Sequence, residues 1–136
     1  MPISNPKKFP VEQVKAALLK VQPRMTDRQM LMLREHYLSE TVSTGRLAEI
    51  AGYRGGYRIA NIQYGTLCSR IAAELGYAPP RSWIRAIASG SGKPDAHGHF
   101  QWEMNKVVTN ALKELDWFHP SKSEEKVLLP KRAGLK

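Results

Sequence analysis

The feature that most limits how this chain can fold is an apolar stripe fenced by helix-ending residues. Ala60, Tyr64, Leu67, Cys68, Ile71 and Leu75 recur at steps of four, three, one, three and four, the spacing of one helix face. Gly55-Gly56 precede the stripe, Gly76 follows it, and Pro79-Pro80 bars any continuation. A single helix cannot cover its own apolar face, so the flanking segments must supply the rest of a core.

Upstream, local signals predict three more helices. Pro10 suits the first helical position of a segment whose Val11, Val14, Ala17, Leu18 and Val21 share a face and which Pro23 ends. Thr26 and Gln29 have capping-box spacing, Asp27 suits the helix dipole, and Met25 with Met30 can form a hydrophobic staple. That helix is expected to run to about Ser39. Glu40 to Gly45 reads as a short loop in which Ser43 or Thr44 caps a brief helix, Arg46 to Ala51. Gly52 follows, where a left-handed residue is wanted.

Downstream the period changes. Ser82 to Ala88 is apolar and strand-compatible, and Phe100, Trp102 and Met104 alternate with polar neighbours. Ser89 to Gly98 between them reads as a long polar hairpin loop. Asn105 can cap a last helix bearing Val108, Ala111, Leu112 and Leu115, ending at Trp117-Phe118. The expected fold class is α+β, mainly helical and winged-helix-like: helices, a helix-turn-helix, a β-hairpin wing and a C-terminal helix. Residues 1–25 read as a basic N-terminal arm with one helix, 26–118 as the domain, and 119–136 as a basic tail expected to be disordered.

At 136 residues the chain suits one domain. Its longest unbroken apolar runs, such as Ala16 to Leu19, are four residues, far below the ~20 residues of a membrane span. No apolar stretch follows the charges of Lys7 and Lys8, so no secretory signal is expected, and the cytoplasm is the expected compartment. One cysteine, Cys68, excludes an internal disulfide framework and a multi-Cys zinc site.

The net charge of +9 favours an anionic partner, with nucleic acid first. It is unevenly placed: residues 1–25 carry +4 and 119–136 carry +3, leaving +2 for residues 26–118. Such ends keep a protein soluble, or they add salt-sensitive contacts to a phosphate backbone. Lys7, Lys8, Lys131 and Arg132 are the candidate arm contacts. Between Lys20 and Lys93 every base is arginine, whose planar fork fits a phosphate or a guanine edge.

Short helix, glycine, turn and long helix form the outline of a helix-turn-helix, with Ala48 small where the second helix must cross. Gly55-Gly56 lengthens the turn beyond its tightest form. Opposite the apolar stripe lie Arg58, Asn61, Ile62, Gly65, Ser69 and Ala72, three of them small enough for another surface to come close. Arg54, Arg58, Asn61, Gln63 and Arg70 are the candidate base and backbone contacts, since arginine pairs with guanine and Asn or Gln with adenine. Lys93 in the hairpin loop is positioned to reach a phosphate or the minor groove. A plain solvated helix face would show many of the same residues.

Three tempting sites fail. Gly90-Ser91-Gly92-Lys93 resembles a phosphate-binding loop, but Ile87 and Ala88 replace its first glycine region and Pro94 stands where a magnesium-binding Ser or Thr belongs. Asp95, His97 and His99 offer ligand spacing with no Cys or third histidine nearby. Cys68 lies on the apolar stripe, where a packed thiol is commoner than a nucleophile. No catalytic constellation, metal site or cofactor is expected.

The run Leu47-Ala-Glu-Ile-Ala-Gly-Tyr53 with Ala60-Asn-Ile-Gln-Tyr-Gly65 resembles a helix-turn-helix-like domain of uncharacterised bacterial proteins. Several of these carry an HNH-type restriction endonuclease domain on the same chain. In them a hairpin, a tryptophan-bearing strand and a helix follow, matching Phe100-Gln-Trp-Glu-Met104 and Ala111 to Phe118. The likeness covers about residues 25–118, and Asn61-Ile-Gln-Tyr-Gly65 is its most specific stretch. It implies a DNA-recognition or accessory module in restriction or phage-defence conflict. The nuclease's His-Asn-His arrangement with zinc-binding cysteines is absent from the sequence.

Double-stranded DNA is therefore the first expected partner, read by one copy or by a homodimer. The main rival is a protein-binding inhibitor of a defence nuclease, of anti-CRISPR or anti-restriction type. An exposed patch of Tyr57, Ile59 and Ile62 would favour it. An RNA-binding accessory factor fits the charge but has no stacking motif.

Overall fold

The computed structural model describes residues 9–118. The arm and tail contacts Lys7, Lys8, Lys131 and Arg132, and the expected disorder of 119–136, lie outside the described residues. Five helices and three short strands follow one another as α1 (Val11–Val21), α2 (Asp27–Ser39), β1 (Thr41–Val42), α3 (Thr44–Ala51), α4 (Tyr57–Leu75), β2 (Ala88–Gly90), β3 (Trp102–Met104) and α5 (Lys106–Leu115). The architecture is α+β, mainly helical, with a small antiparallel sheet ordered β1-β3-β2.

Local chemistry sets most helix ends. The Thr26 hydroxyl accepts from the Gln29 amide at 3.0 Å and the Gln29 side-chain carbonyl accepts from the Thr26 amide at 3.0 Å, a complete capping box. Ser43 caps α3 by accepting from the Arg46 amide at 3.1 Å. Gly52 and Gly76 end α3 and α4 in the left-handed conformation, at φ 75° and 69°.

The helices share one core. Val14, Leu18 and Val21 of α1 are buried with Met32 and Leu33 of α2, Leu47 of α3, and Tyr64, Leu67 and Ile71 of α4. Helix α1 packs on both α4 and α5, so the helix of the N-terminal segment belongs to the same core as residues 26–118.

Several details differ from the sequence expectation. Pro10 is the N-cap of α1 rather than its first residue, and Pro23 sits in a 3-10 turn, Gln22–Arg24, beyond the helix end. The segment read as a loop from Glu40 to Gly45 holds β1, and Thr44 and Gly45 already belong to α3. Strand β1 pairs Thr41 with Glu103 and Val42 with Trp102, an association with distant residues that no local period can reveal.

Ser82 to Ala88 is not a strand over most of its length. Trp83–Ala86 is a 3-10 turn, capped by the Ser82 hydroxyl accepting from the Ile84 amide at 3.2 Å, and only Ala88 enters β2. Ile84, Ala86, Ile87 and Ala88 are all buried, so the apolar run marks burial rather than strand conformation. Ser89 and Gly90 belong to β2, which leaves residues 91–101 as the hairpin loop, and Phe100 precedes β3. Asn105 occupies the N-cap of α5 without a side-chain cap bond; its Oδ1 accepts from the Ser89 hydroxyl at 3.2 Å. Ala72, assigned to the open face of α4, is fully buried.

Candidate nucleic-acid interface

Two polar ties on the buried side fix how α4 is rotated. The side-chain amide of Gln29 donates to the Gln63 carbonyl at 3.0 Å, and the ring of His36 lies 2.8 Å from the Tyr64 hydroxyl. Gln29, His36 and Tyr64 are all buried. Buried polar groups stay where their partners are, so these contacts set which side of α4 faces out.

Residues 52–56 join α3 to α4. Gly56 adopts φ 77° and ψ −157° at the entry to α4, a conformation nearly confined to glycine. A β-carbon at Gly55 would collide with Cγ1 of Ile59, so the glycine pair lets the turn lie close against the helix it begins.

An open groove of about 1030 Å³ results between the start of α3, the first turns of α4 and the hairpin loop. Ser43, Thr44, Gly45, Ala48 and Glu49 form one wall, and Tyr53, Gly56, Tyr57, Arg58 and Asn61 form the second. Gly98, His99, Phe100 and Trp102 close it from the hairpin side. Glu49 is ion-paired with Arg46 at 3.2 Å, and Arg46 also approaches Glu35 at 3.6 Å. Arg58 and Asn61 are exposed, and neither side chain bonds to another described residue.

The structure divides the residues singled out from the sequence. Arg58 and Asn61 share the groove, with exposed Arg54 on the turn before them. Lys93 is exposed in the hairpin loop. Gln63 and Arg70 take no part in the groove. Gln63 is half-buried and accepts from Gln29 through its main-chain carbonyl, while the Arg70 guanidinium donates to the Arg24 main-chain carbonyl at 3.2 Å. Ile62 and Tyr57, at 60% and 55% exposure, are among the most exposed large apolar residues described.

The hairpin loop is internally bonded. One carboxylate oxygen of Asp95 accepts from the amides of His97 and His99 at 2.8 and 2.9 Å. Those donors, that of His99 first, hold the Asp95 pKa below its ordinary value. The Ser91 hydroxyl donates to the Lys93 carbonyl at 2.8 Å and accepts from its amide at 3.1 Å. Among the described residues no cluster of three or more His, Cys, Asp or Glu is placed to hold a metal ion. Cys68 is fully buried, and that burial pushes its thiol well above the ordinary range. No helix among the described residues is long and apolar enough to cross a membrane.

Sequence reasoning missed Phe100 as a groove residue, whereas Tyr53 falls in the stretch from Tyr53 to Ser69 expected to form the recognition surface. Phe100 reads as one of three alternating strand residues with Trp102 and Met104, yet it lies before β3 and is 56% exposed. The usable signal was Gly90, because a strand glycine leaves room for a neighbouring aromatic ring to lie on the backbone. No family model matches the chain, and no match emerged among curated proteins or solved structures.

Proposed function

We propose that this protein is a non-catalytic DNA-binding protein of winged-helix type, with α4 as the recognition helix and the 91–101 loop as the wing. The observation that carries this reading is the shared groove: Arg58 and Asn61 line it from α4 without side-chain partners among the described residues, and the hairpin loop closes its other side. Element order supports the winged-helix assignment, with β1 between the first two helices of the motif and the β2–β3 hairpin after the third. Arg58 is suited to guanine or phosphate and Asn61 to adenine. Arg54 and Lys93 add backbone attraction at either end, and the resemblance of residues 25–118 to a module found beside HNH nucleases points to restriction or phage-defence conflict.

Selection from a random duplex library followed by fluorescence anisotropy tests this. The joint Arg58→Ala and Asn61→Ala variant is expected to lose sequence preference, whereas Lys7→Ala with Lys8→Ala weakens binding to all sequences alike. Failure to enrich any sequence, together with no salt-sensitive binding to duplex, overturns the reading.

The outward position of Ile62 and Tyr57 favours a second reading, a protein partner such as a defence nuclease docked on α4. Thymine methyl groups also accept apolar contacts, so apolar exposure alone does not separate the two. Capture from lysate with and without nuclease treatment does: a partner that survives treatment and is lost with Ile62→Glu supports the protein reading.

A further inference from the structure

Phe100 is more exposed than a packed core ring, yet it is not loose. Its ring lies on the β2 backbone at Gly90, where an added β-carbon would come within 2.9 Å of Cζ. It also meets Trp102 edge-on, with ring centroids 4.9 Å apart. Trp102 is itself held, with the Arg85 guanidinium 5.4 Å from its ring centroid. Supported in this way, Phe100 presents a fixed aromatic surface at 56% exposure on the groove. Tyr57, 55% exposed, stands on the α4 wall of the same groove. Asn61 and Arg58, on the same wall as Tyr57, supply polar groups without a partner among the described residues.

Aromatic surfaces beside polar groups suit a planar ring with hydrogen-bonding edges. A base stacked within a duplex has no free face to offer. An unstacked base does, and stacking on a protein ring is insensitive to base identity while edge contacts confer choice. The acid in the groove wall, Glu49, is paired with Arg46, so Arg58 leaves the groove suited to the adjoining phosphate. We infer that the groove binds one unstacked nucleobase, stacked on Phe100 with Tyr57 beside it and read along its edge by Asn61 and Arg58. This rests on α4 and the hairpin loop forming a nucleic-acid interface.

The test uses the full chain and two duplexes of one sequence, of which one carries a single unpaired nucleotide. Extruding a base costs least where it has no pairing partner, so the bulged duplex is expected to bind about tenfold more tightly. 2-Aminopurine at the unpaired position should lose emission on binding as it stacks. Phe100→Ala should remove both the preference and the quenching, and Phe100→Trp should keep both. Asn61→Ala, at an exposed helix position that leaves the fold intact, should flatten discrimination among the four bases at the bulge. Equal affinity of the unaltered protein for both duplexes overturns the inference and leaves duplex binding standing, as does a preference that survives Phe100→Ala. Binding to neither duplex removes the interface itself.

Discussion

The Tyr64 hydroxyl and the His36 ring are joined by a hydrogen bond whose direction is fixed. His36 Nε2 lies 3.0 Å from the Trp102 carbonyl, which can only accept, so Nε2 carries the ring proton. Nδ1 of the neutral ring is then the acceptor, and Tyr64 donates to it across 2.8 Å. The relay runs from α4 through α2 to β3, tying the candidate recognition helix to the base of the hairpin.

Protonating His36 breaks this relay, because a charged ring has no acceptor for the Tyr64 hydroxyl. Burial lowers its pKa from 6.5 to about 4 in the folded chain. A depressed folded value means the unfolded state takes the proton first. The stability contributed is therefore complete above pH 6.5 and is lost as the pH falls towards 4, on the order of 3 kcal/mol in all. Urea midpoints measured from pH 7.5 to 4.5 should fall with acid. In His36→Gln the dependence across that window should be shallower, and identical slopes would sink the assignment.

Gly56 and Gly65 should respond in opposite ways to alanine. Gly56 holds a conformation that an L side chain adopts only under strain, so Gly56→Ala should cost about 1–3 kcal/mol. Gly65 lies inside α4, and a β-carbon there meets nothing within 4 Å. Gly65→Ala should stabilise the fold by about 0.5–1 kcal/mol. If α4 comes close to DNA, the added methyl group should also weaken binding, so thermal melts and anisotropy would move in opposite senses.

Salt dependence separates bases that touch phosphate from those that do not. Each neutralised phosphate contributes about −0.9 to the slope of log affinity against log salt. Arg54→Ala and Lys93→Ala should each make that slope shallower by about one unit. Arg70→Ala should leave it unchanged, because the guanidinium is turned to the Arg24 carbonyl. A shallower slope in Arg70→Ala alone would reverse the assignment of the two flanks.

Cys68 should be silent towards alkylation in the native state. Its thiol is fully buried and disfavoured from ionising, and only the thiolate attacks. Iodoacetamide should label it at the rate of unfolding, with full labelling in denaturant. Rapid native labelling would show that α4 opens locally.

Legibility in the sequence followed the range of the interactions. The Thr26 capping box and the glycine ends of α3 and α4 lie within a few residues of what they control, so spacing alone located them, while for the α3 cap it left Ser43 and Thr44 as alternatives. Strand β1 was invisible because its two residues matter only through pairing with Trp102 and Glu103. Ala72 was placed on the wrong side because the buried face of α4 is broader than its apolar stripe. The 3-10 turn at Trp83–Ala86 packs along that helix, a neighbour that no local period announces. The outward position of Arg58 and Asn61 on α4 was legible from the helical period. Their separation from Gln63 and Arg70 was not, since it depends on the Gln29 and His36 ties that set the rotation of α4.

Strand β3 lies in the middle of its sheet, paired on one side with β1 and on the other with β2. The loop it carries is thus mounted on a base clamped from both edges, while its own shape comes from short-range bonds to Asp95 and Ser91. Such a loop behaves as an exchangeable cassette: its length and composition can drift without loosening the helices beneath. A scaffold built this way can take a different loop in that one segment while α4 keeps its place in the core.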